Sequence, residues 1–116
     1  MIDIQYNKKP CVFHFNFNSE EYIPVRYFEN EDKENFELNY YLDFLKKYKM
    51  LKDSGTLYIW STHYECNCSG MPFVMVFDHD YGFVTFAVHY VKDRIKVAET
   101  LMSLIKKEKP TDKQVF

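Results

Sequence analysis

The first thirty residues alternate between apolar and polar side chains. In CVFHFNF (residues 11–17) every second side chain is apolar, which predicts a half-buried β-strand. YIPVRYF (residues 22–28) alternates in the same way and predicts a second strand. Pro24 cannot donate a hydrogen bond to a neighbouring strand, so this second strand belongs at a sheet edge. The intervening NSEE is then a hairpin turn, and residues 2–6 predict a further short strand.

Further along the chain the repeat lengthens from two residues to the helical period. Between residues 32 and 53 the apolar side chains form one stripe, which predicts an amphipathic helix. Acidic residues fill its first turns and lysines its last, as the helix dipole favours. A second helix is predicted over residues 92–107. The two stripes contain Tyr40, Tyr41, Phe44, Leu45, Tyr48 and Leu51 in the first helix, and Ala98, Leu101, Met102 and Ile105 in the second.

Three more strands are predicted between the two helices, over residues 56–64, 72–78 and 83–91. DHDYG joins the last two as a tight hairpin. Residues 73–77 are apolar on both faces, which places that strand in the sheet centre. Since hairpins dominate, we predict an α+β fold: a mainly antiparallel sheet of five to six strands with two helices packed on one face. Residues 1–116 should form a single domain, with residues 109–116 as a loose tail.

Composition and charge narrow the class of protein. Aromatic residues make up 19% of the 116 residues and the net charge is −2, so direct nucleic-acid binding is not expected. The charge is uneven, because residues 20–43 hold eight acidic residues against Arg26 and Lys33. No signal peptide and no membrane-spanning segment is recognised. We therefore expect a cytoplasmic protein whose three cysteines are reduced thiols.

HYECNCSGMPF (residues 63–73) is the one local cluster that offers metal or thiol chemistry. If residues 72 and 89 are paired, His63, Cys66, Cys68 and His89 lie at one end of the sheet. Two imidazoles and two thiolates are the ligand set of a structural zinc site. Against this hypothesis, Cys-x-Cys is tighter than the usual spacing of zinc ligands. A redox pair is disfavoured as well, since no helix start is predicted beside the two thiols.

No nucleotide-binding loop or hydrolase motif is present, so we expect neither an enzyme nor a cofactor. What stands out instead is the mixture of acids and aromatic rings before and within the first helix. Acids steer and pair with a basic partner, and aromatic rings anchor it. The residues predicted to bind a partner are Tyr22, Tyr27, Glu29, Glu31, Asp32, Glu34 and Tyr40.

In size, composition and element order the chain resembles the bacterial immunity proteins of toxin–immunity systems, including contact-dependent growth inhibition. The resemblance implies that the chain binds a cognate toxin domain, such as a basic nuclease, and neutralises it by covering its active site. It carries no functional residue with it, since no diagnostic motif is shared. The alternatives are a small metal-binding or thiol-dependent protein that uses the His63, Cys66, Cys68 and His89 cluster, and a homodimer paired through residues 22–28. We expect a monomer or a weak homodimer.

Overall fold

A computed structural model describes residues 1–110. Six strands form one fully antiparallel sheet in the spatial order β1-β2-β6-β5-β4-β3. The sheet is mainly antiparallel as predicted, and β5 lies inside it between β6 and β4. The strands are β1 (Ile2–Tyr6), β2 (Val12–Phe17), β3 (Thr56–Leu57), β4 (Ser61–Cys68), β5 (Met71–Asp78) and β6 (Val84–Val88).

Two long helices complete the α+β fold, which confirms the predicted class. The structure has α1 (Ser19–Tyr22), α2 (Phe36–Lys47) and α3 (Arg94–Lys107), with single 3-10 turns at Val25–Tyr27, Lys33–Asn35 and Val91–Asp93. Both predicted helical stripes are buried in their centres: Tyr40, Tyr41, Phe44 and Leu45 on α2, and Ala98, Leu101 and Ile105 on α3.

The core lies between the helices and one face of the sheet. Phe13, Phe86 and Met75 are direct cross-strand neighbours and are fully buried on that face. Phe86 stacks on Phe13 at 5.4 Å between ring centroids and meets the edge of Tyr41 from α2 at 5.3 Å. Such ring pairs add about 0.5–1.5 kcal/mol each beyond the area they bury. The aromatic content of the sequence is therefore largely core packing.

The predicted edge strand over residues 22–28 is wrong. The segment forms the end of α1 and a 3-10 turn. Asn18 begins α1, because its side-chain oxygen accepts a hydrogen bond from the backbone N–H of Glu20 at 3.0 Å. NSEE is thus a capped helix start, as its Asn and two acids favour, and not a hairpin turn. Since no strand exists there, a homodimer cannot pair through it.

The strands around the cysteines also differ from the prediction. The predicted strand over residues 56–64 is interrupted after Leu57, and β4 begins at Ser61. Residues 65–71 lie between two predicted strands and are expected to form a loop. Most of them are strand, because β4 continues to Cys68. Only Ser69 and Gly70 turn the chain, and both have positive φ (51° and 85°). Two positive-φ residues are what a tight type I′ hairpin requires.

The helices are shorter than predicted. Helix α2 starts at Phe36 and ends at Lys47, where Tyr48 caps it and Lys49 takes a φ of 58°. The helix predicted between residues 32 and 53 is therefore shorter at both ends. Of the predicted loose tail, residues 111–116 lie outside the described range. Lys109 is described, and its ammonium lies 3.3 Å from Oε2 of Glu21.

Candidate functional site

The segment from Glu29 to Glu34, called the acidic segment below, connects a 3-10 turn to α2 and exposes all of its carboxylates. Asp32 organises it. Its two carboxylate oxygens accept hydrogen bonds from the side-chain amides of Asn35 (2.9 Å) and Asn39 (3.0 Å). The bonds from Asn39 and then Asn35 lower the pKa of Asp32, because they stabilise its charged form. Asp32 therefore holds a fixed negative charge at the start of α2.

The other acids of this segment are free to meet a partner. Glu29, Glu31 and Glu34 are exposed and form no ion pair with any residue of the described chain. Unpaired carboxylates on a structured segment attract cationic groups over roughly the Debye length, about 8–10 Å at physiological salt. All four acids predicted to bind a partner are thus at the surface.

The three tyrosines predicted as anchors are buried instead. Tyr22, Tyr27 and Tyr40 have only 5–6% of their surface exposed. The Tyr27 hydroxyl donates to Oδ2 of Asp43 at 2.5 Å, and its ring meets that of Tyr40 edge-on at 5.9 Å. These rings hold the 3-10 turn against α2. Tyr22, Tyr27 and Tyr40 therefore expose little surface to a second protein, which weighs against the predicted anchor role.

The four candidate metal ligands do not come together. The predicted pairing is confirmed, since the His89 N–H donates to the Pro72 carbonyl at 3.1 Å. Alternate residues of a strand point to opposite faces. Cys66 and Cys68 therefore face the buried side, whereas His63 faces the other side of β4. Nε2 of His63 lies 2.9 Å from the Ser61 hydroxyl, and Nε2 of His89 lies 2.8 Å from Oε1 of Glu65. Within residues 1–110 no three His, Cys, Asp or Glu side chains form a metal-binding group.

The two cysteines of this cluster are packed as apolar residues. Each has 2% of its surface exposed. Burial raises the pKa of the Cys66 thiol to about 12 and also raises that of Cys68. A thiol with such a pKa carries almost no thiolate at neutral pH. The arrangement gives the pair a role in the core and no nucleophile.

A surface that the sequence did not reveal lies at the end of the sheet where β4 begins. Six large apolar side chains are exposed there, and we call this set the apolar end. Its members and their exposed fractions are Leu57 (74%), Tyr58 (53%), Ile59 (82%), Trp60 (66%), Tyr81 (81%) and Phe83 (44%). Trp60 is the single tryptophan of the chain.

The backbone brings the two halves of the apolar end together. The first half is the turn between β3 and β4, closed by a bond from the Tyr58 N–H to the Ser61 carbonyl at 2.7 Å. The second half is the hairpin between β5 and β6. The two turns are adjacent because the N–H of His79 donates to the Trp60 carbonyl at 2.9 Å. Exposed apolar side chains on neighbouring turns form a patch of the kind that marks interaction sites.

The start of α2 reaches the same end of the molecule. Oε1 of Glu37, in the first turn of α2, accepts a hydrogen bond from the N–H of Val84 at 3.2 Å. Val84 directly follows Phe83 of the apolar end, and Glu34 precedes Glu37 by about one helical turn. The acidic segment and the apolar end therefore occupy one end of the domain.

The comparisons with known proteins give no family. No protein-family model matches the chain, and neither a curated protein nor a solved structure matches it. Among the described residues, no helix has the length and apolar character to cross a membrane.

One sequence signal could have revealed the apolar end. The strand predicted over residues 56–64 has nine residues, but its predicted partner over residues 72–78 has only seven. In an antiparallel pair closed by the turn at residues 69 and 70, Ser61 is opposite Asp78. Ile59 and Trp60, which precede Ser61, therefore lie beyond the end of β5, whereas Leu57 turns back and pairs with Thr62. An apolar run that extends past its partner strand must either be covered by something else or remain exposed.

Proposed function

We propose that this protein acts by binding, and that it neutralises a basic protein toxin in the manner of an immunity protein. The observation that carries the proposal is the acidic segment, where Glu29, Glu31 and Glu34 are exposed, unpaired and held on ordered backbone beside the fixed charge of Asp32. Such a surface accelerates the approach of a cationic partner and pairs with its Lys and Arg side chains.

The proposed mechanism is steric. A nuclease binds the phosphates of its substrate with basic side chains, so an acidic surface of suitable shape competes for the same groups. Occupying them closes the active site without any reaction by the inhibitor. The resemblance to immunity proteins supplies the class of partner, and the charge supplies the reason for binding.

The test is neutralisation in cells and binding in solution. The chain would be expressed together with the toxic domain encoded by the neighbouring gene, and growth would be measured. Purified proteins would give association rates at several salt concentrations. We expect growth to be restored, and we expect Glu31→Lys combined with Glu34→Lys to slow association by about 10-fold or more and to flatten its salt dependence. The matched control, with the same change in net charge, is Asp3→Lys combined with Glu99→Lys, two exposed acids on β1 and α3, and it should change neither.

Two outcomes would refute the proposal. One is a neighbouring gene for a metabolic enzyme, or a toxin whose effect the chain does not relieve. The other is a complex whose association rate is unaffected by the double charge reversal. The second result would place the interface away from the acidic segment.

A further inference from the structure

The apolar end exposes side chains that a folded protein normally buries. Ile59 and Trp60 are the central residues of the β3–β4 turn, with 82% and 66% of their surface exposed. Turn centres usually hold Gly, Pro, Asn, Asp or Ser, which suit the backbone and tolerate water. Ile and Trp offer neither advantage there. Exposed Ile and Trp side chains at the tip of a turn are typical of a surface that binds another molecule.

The charges around the apolar end indicate the kind of partner. Between residues 53 and 91 the sequence has no Lys or Arg but four acids. Two of them, Asp53 and Glu65, lie toward the other end of β4, where Glu65 contacts His89. The other two acids flank His79 in the β5–β6 hairpin. Asp78 is fixed there, since its Oδ1 accepts hydrogen bonds from the N–H groups of Asp80 and Tyr81 at 2.8 and 2.9 Å. With Glu37 at the adjacent start of α2, the apolar surface has an acidic rim.

The acidic rim argues against two other occupants. Exposed Trp, Tyr and Ile side chains also suit a membrane surface, but binding to anionic lipids needs an excess of Lys or Arg beside them. Residues 53–91 have none, and the acidic segment has Lys33 against four acids. A second copy of the chain, docked symmetrically, would bring one acidic rim against another. Like charges across an interface oppose association.

We infer that the apolar end is the anchor of the interface, and that it inserts into an apolar pocket with a basic border on a partner protein. This inference deepens the proposed function and rests on it for the class of partner. The acidic segment would then steer the partner, and the apolar end would supply most of the binding energy. Buried Trp and Tyr side chains dominate binding energy in protein interfaces.

The single tryptophan makes the inference directly measurable. Trp60 replaced by 5-fluorotryptophan gives one ¹⁹F resonance, and solvent quenching of Trp60 fluorescence reports its exposure. The full chain would be tested with a Leu/Lys amphipathic peptide, its Leu/Glu counterpart, and phosphatidylcholine vesicles with and without phosphatidylserine. Sedimentation equilibrium of the chain alone would measure self-association.

We expect the Leu/Lys peptide to shield Trp60, and the Leu/Glu peptide and both kinds of vesicle to leave it exposed. We also expect a monomer in sedimentation. Shielding by vesicles, by the acidic peptide or by self-association would overturn the assignment to a basic protein, as would the absence of any shielding by the Leu/Lys peptide. This arm needs no toxin, so it stands even if the proposed function fails.

A second arm separates the two proposals, using the toxin domain of the neutralisation test. We expect Ile59→Ser with Trp60→Ser to weaken binding by about 30-fold or more, the effect of a hot spot. The matched control is Tyr90→Ser with Ile95→Ser. Both control residues are exposed to similar extents (57% and 59%) but lie beyond the opposite end of β6, about 20 Å away along the strand. Strong toxin binding that both pairs leave unchanged would uphold the proposed function and overturn this inference.

Discussion

The position of the apolar end depends on Gly55, which precedes β3 and has a φ of +98°. A Cβ atom on Gly55 would lie 2.7 Å from Cε1 of Tyr64 and 3.1 Å from Cγ2 of Thr62. Carbon atoms in favourable contact are about 3.5–4.0 Å apart. Gly55→Ala must therefore displace the Tyr64 ring, which packs against the core, or shift β3 away from β4.

Two costs add in this variant. A non-glycine residue at positive φ costs on the order of 1–3 kcal/mol, and overpacking typically costs about 1–3 kcal/mol. We expect Gly55→Ala to lower the free energy of unfolding by about 2–6 kcal/mol in all. Gly70→Ala is the matched control. Its φ is +85°, but no atom lies within 4 Å of the added carbon, so it carries the backbone cost alone.

Urea unfolding of the wild type and the two variants, followed by circular dichroism, measures both effects. The difference between the variants should be about 1–3 kcal/mol, which is the overpacking contribution. If the free energies of unfolding of the two variants agreed within about 0.5 kcal/mol, the contact between residue 55 and Tyr64 would make no contribution to stability. That result would refute the close packing of the chain before β3 against Tyr64 of β4.

Two further predictions concern pKa values. Burial raises the pKa of Glu37, and the bond from Val84 lowers it by less. Since the folded pKa is above the unfolded one, wild-type stability falls as pH rises from about 4.3 through the folded pKa. Glu37→Gln keeps an acceptor for Val84, so its urea midpoint should exceed that of the wild type at pH 7 and approach it near pH 4; a lower midpoint at pH 7 would contradict this. Raising the pKa of Cys66 from 9.0 to about 12 leaves on the order of 1,000-fold less thiolate. A disulfide reagent at pH 8 should therefore modify half-buried Cys11 in the native protein but Cys66 and Cys68 only after unfolding, and mass spectrometry showing equal rates would refute their burial.

Hydrophobic periodicity predicted the parts of the fold that it encodes directly. The stripe containing Tyr41 and Phe44 became the buried face of α2, and the alternation around Phe13 became β2. A period is reliable when several turns repeat it, because each repeat adds another buried contact. Residues 22–28 repeat their alternation only three times, and the cap at Asn18 with Pro24 outweighed it.

The candidate site was predicted less well, because exposure depends on register and not on residue type. The acids of the acidic segment are exposed as charge requires. Tyr40 is predicted both as an anchor and as part of the helical stripe, and its burial agrees with the stripe. The exposure of Trp60 does not follow from composition, since TLYIW has the composition of a buried strand. Ile59 and Trp60 are exposed because they lie in the turn beyond the end of β5.

The two turns that flank β4 differ in their residues, and the difference indicates a functional surface at one end of the sheet. At one end, Ser69 and Gly70 both adopt positive φ, which is the favoured conformation of a two-residue hairpin. At the other end, the chain places Ile59 and Trp60 at the centre of a turn. A half-buried carboxyl with a raised pKa, that of Glu37, contacts Val84 at the same end of the sheet, two strands away on β6. Residues that lower the stability of the fold, such as apolar residues at a turn centre or a half-buried carboxyl, are expected at functional sites. Both departures lie at the end that carries the acidic segment, so a single partner that covers this end would account for the apolar turn and for the acids around it.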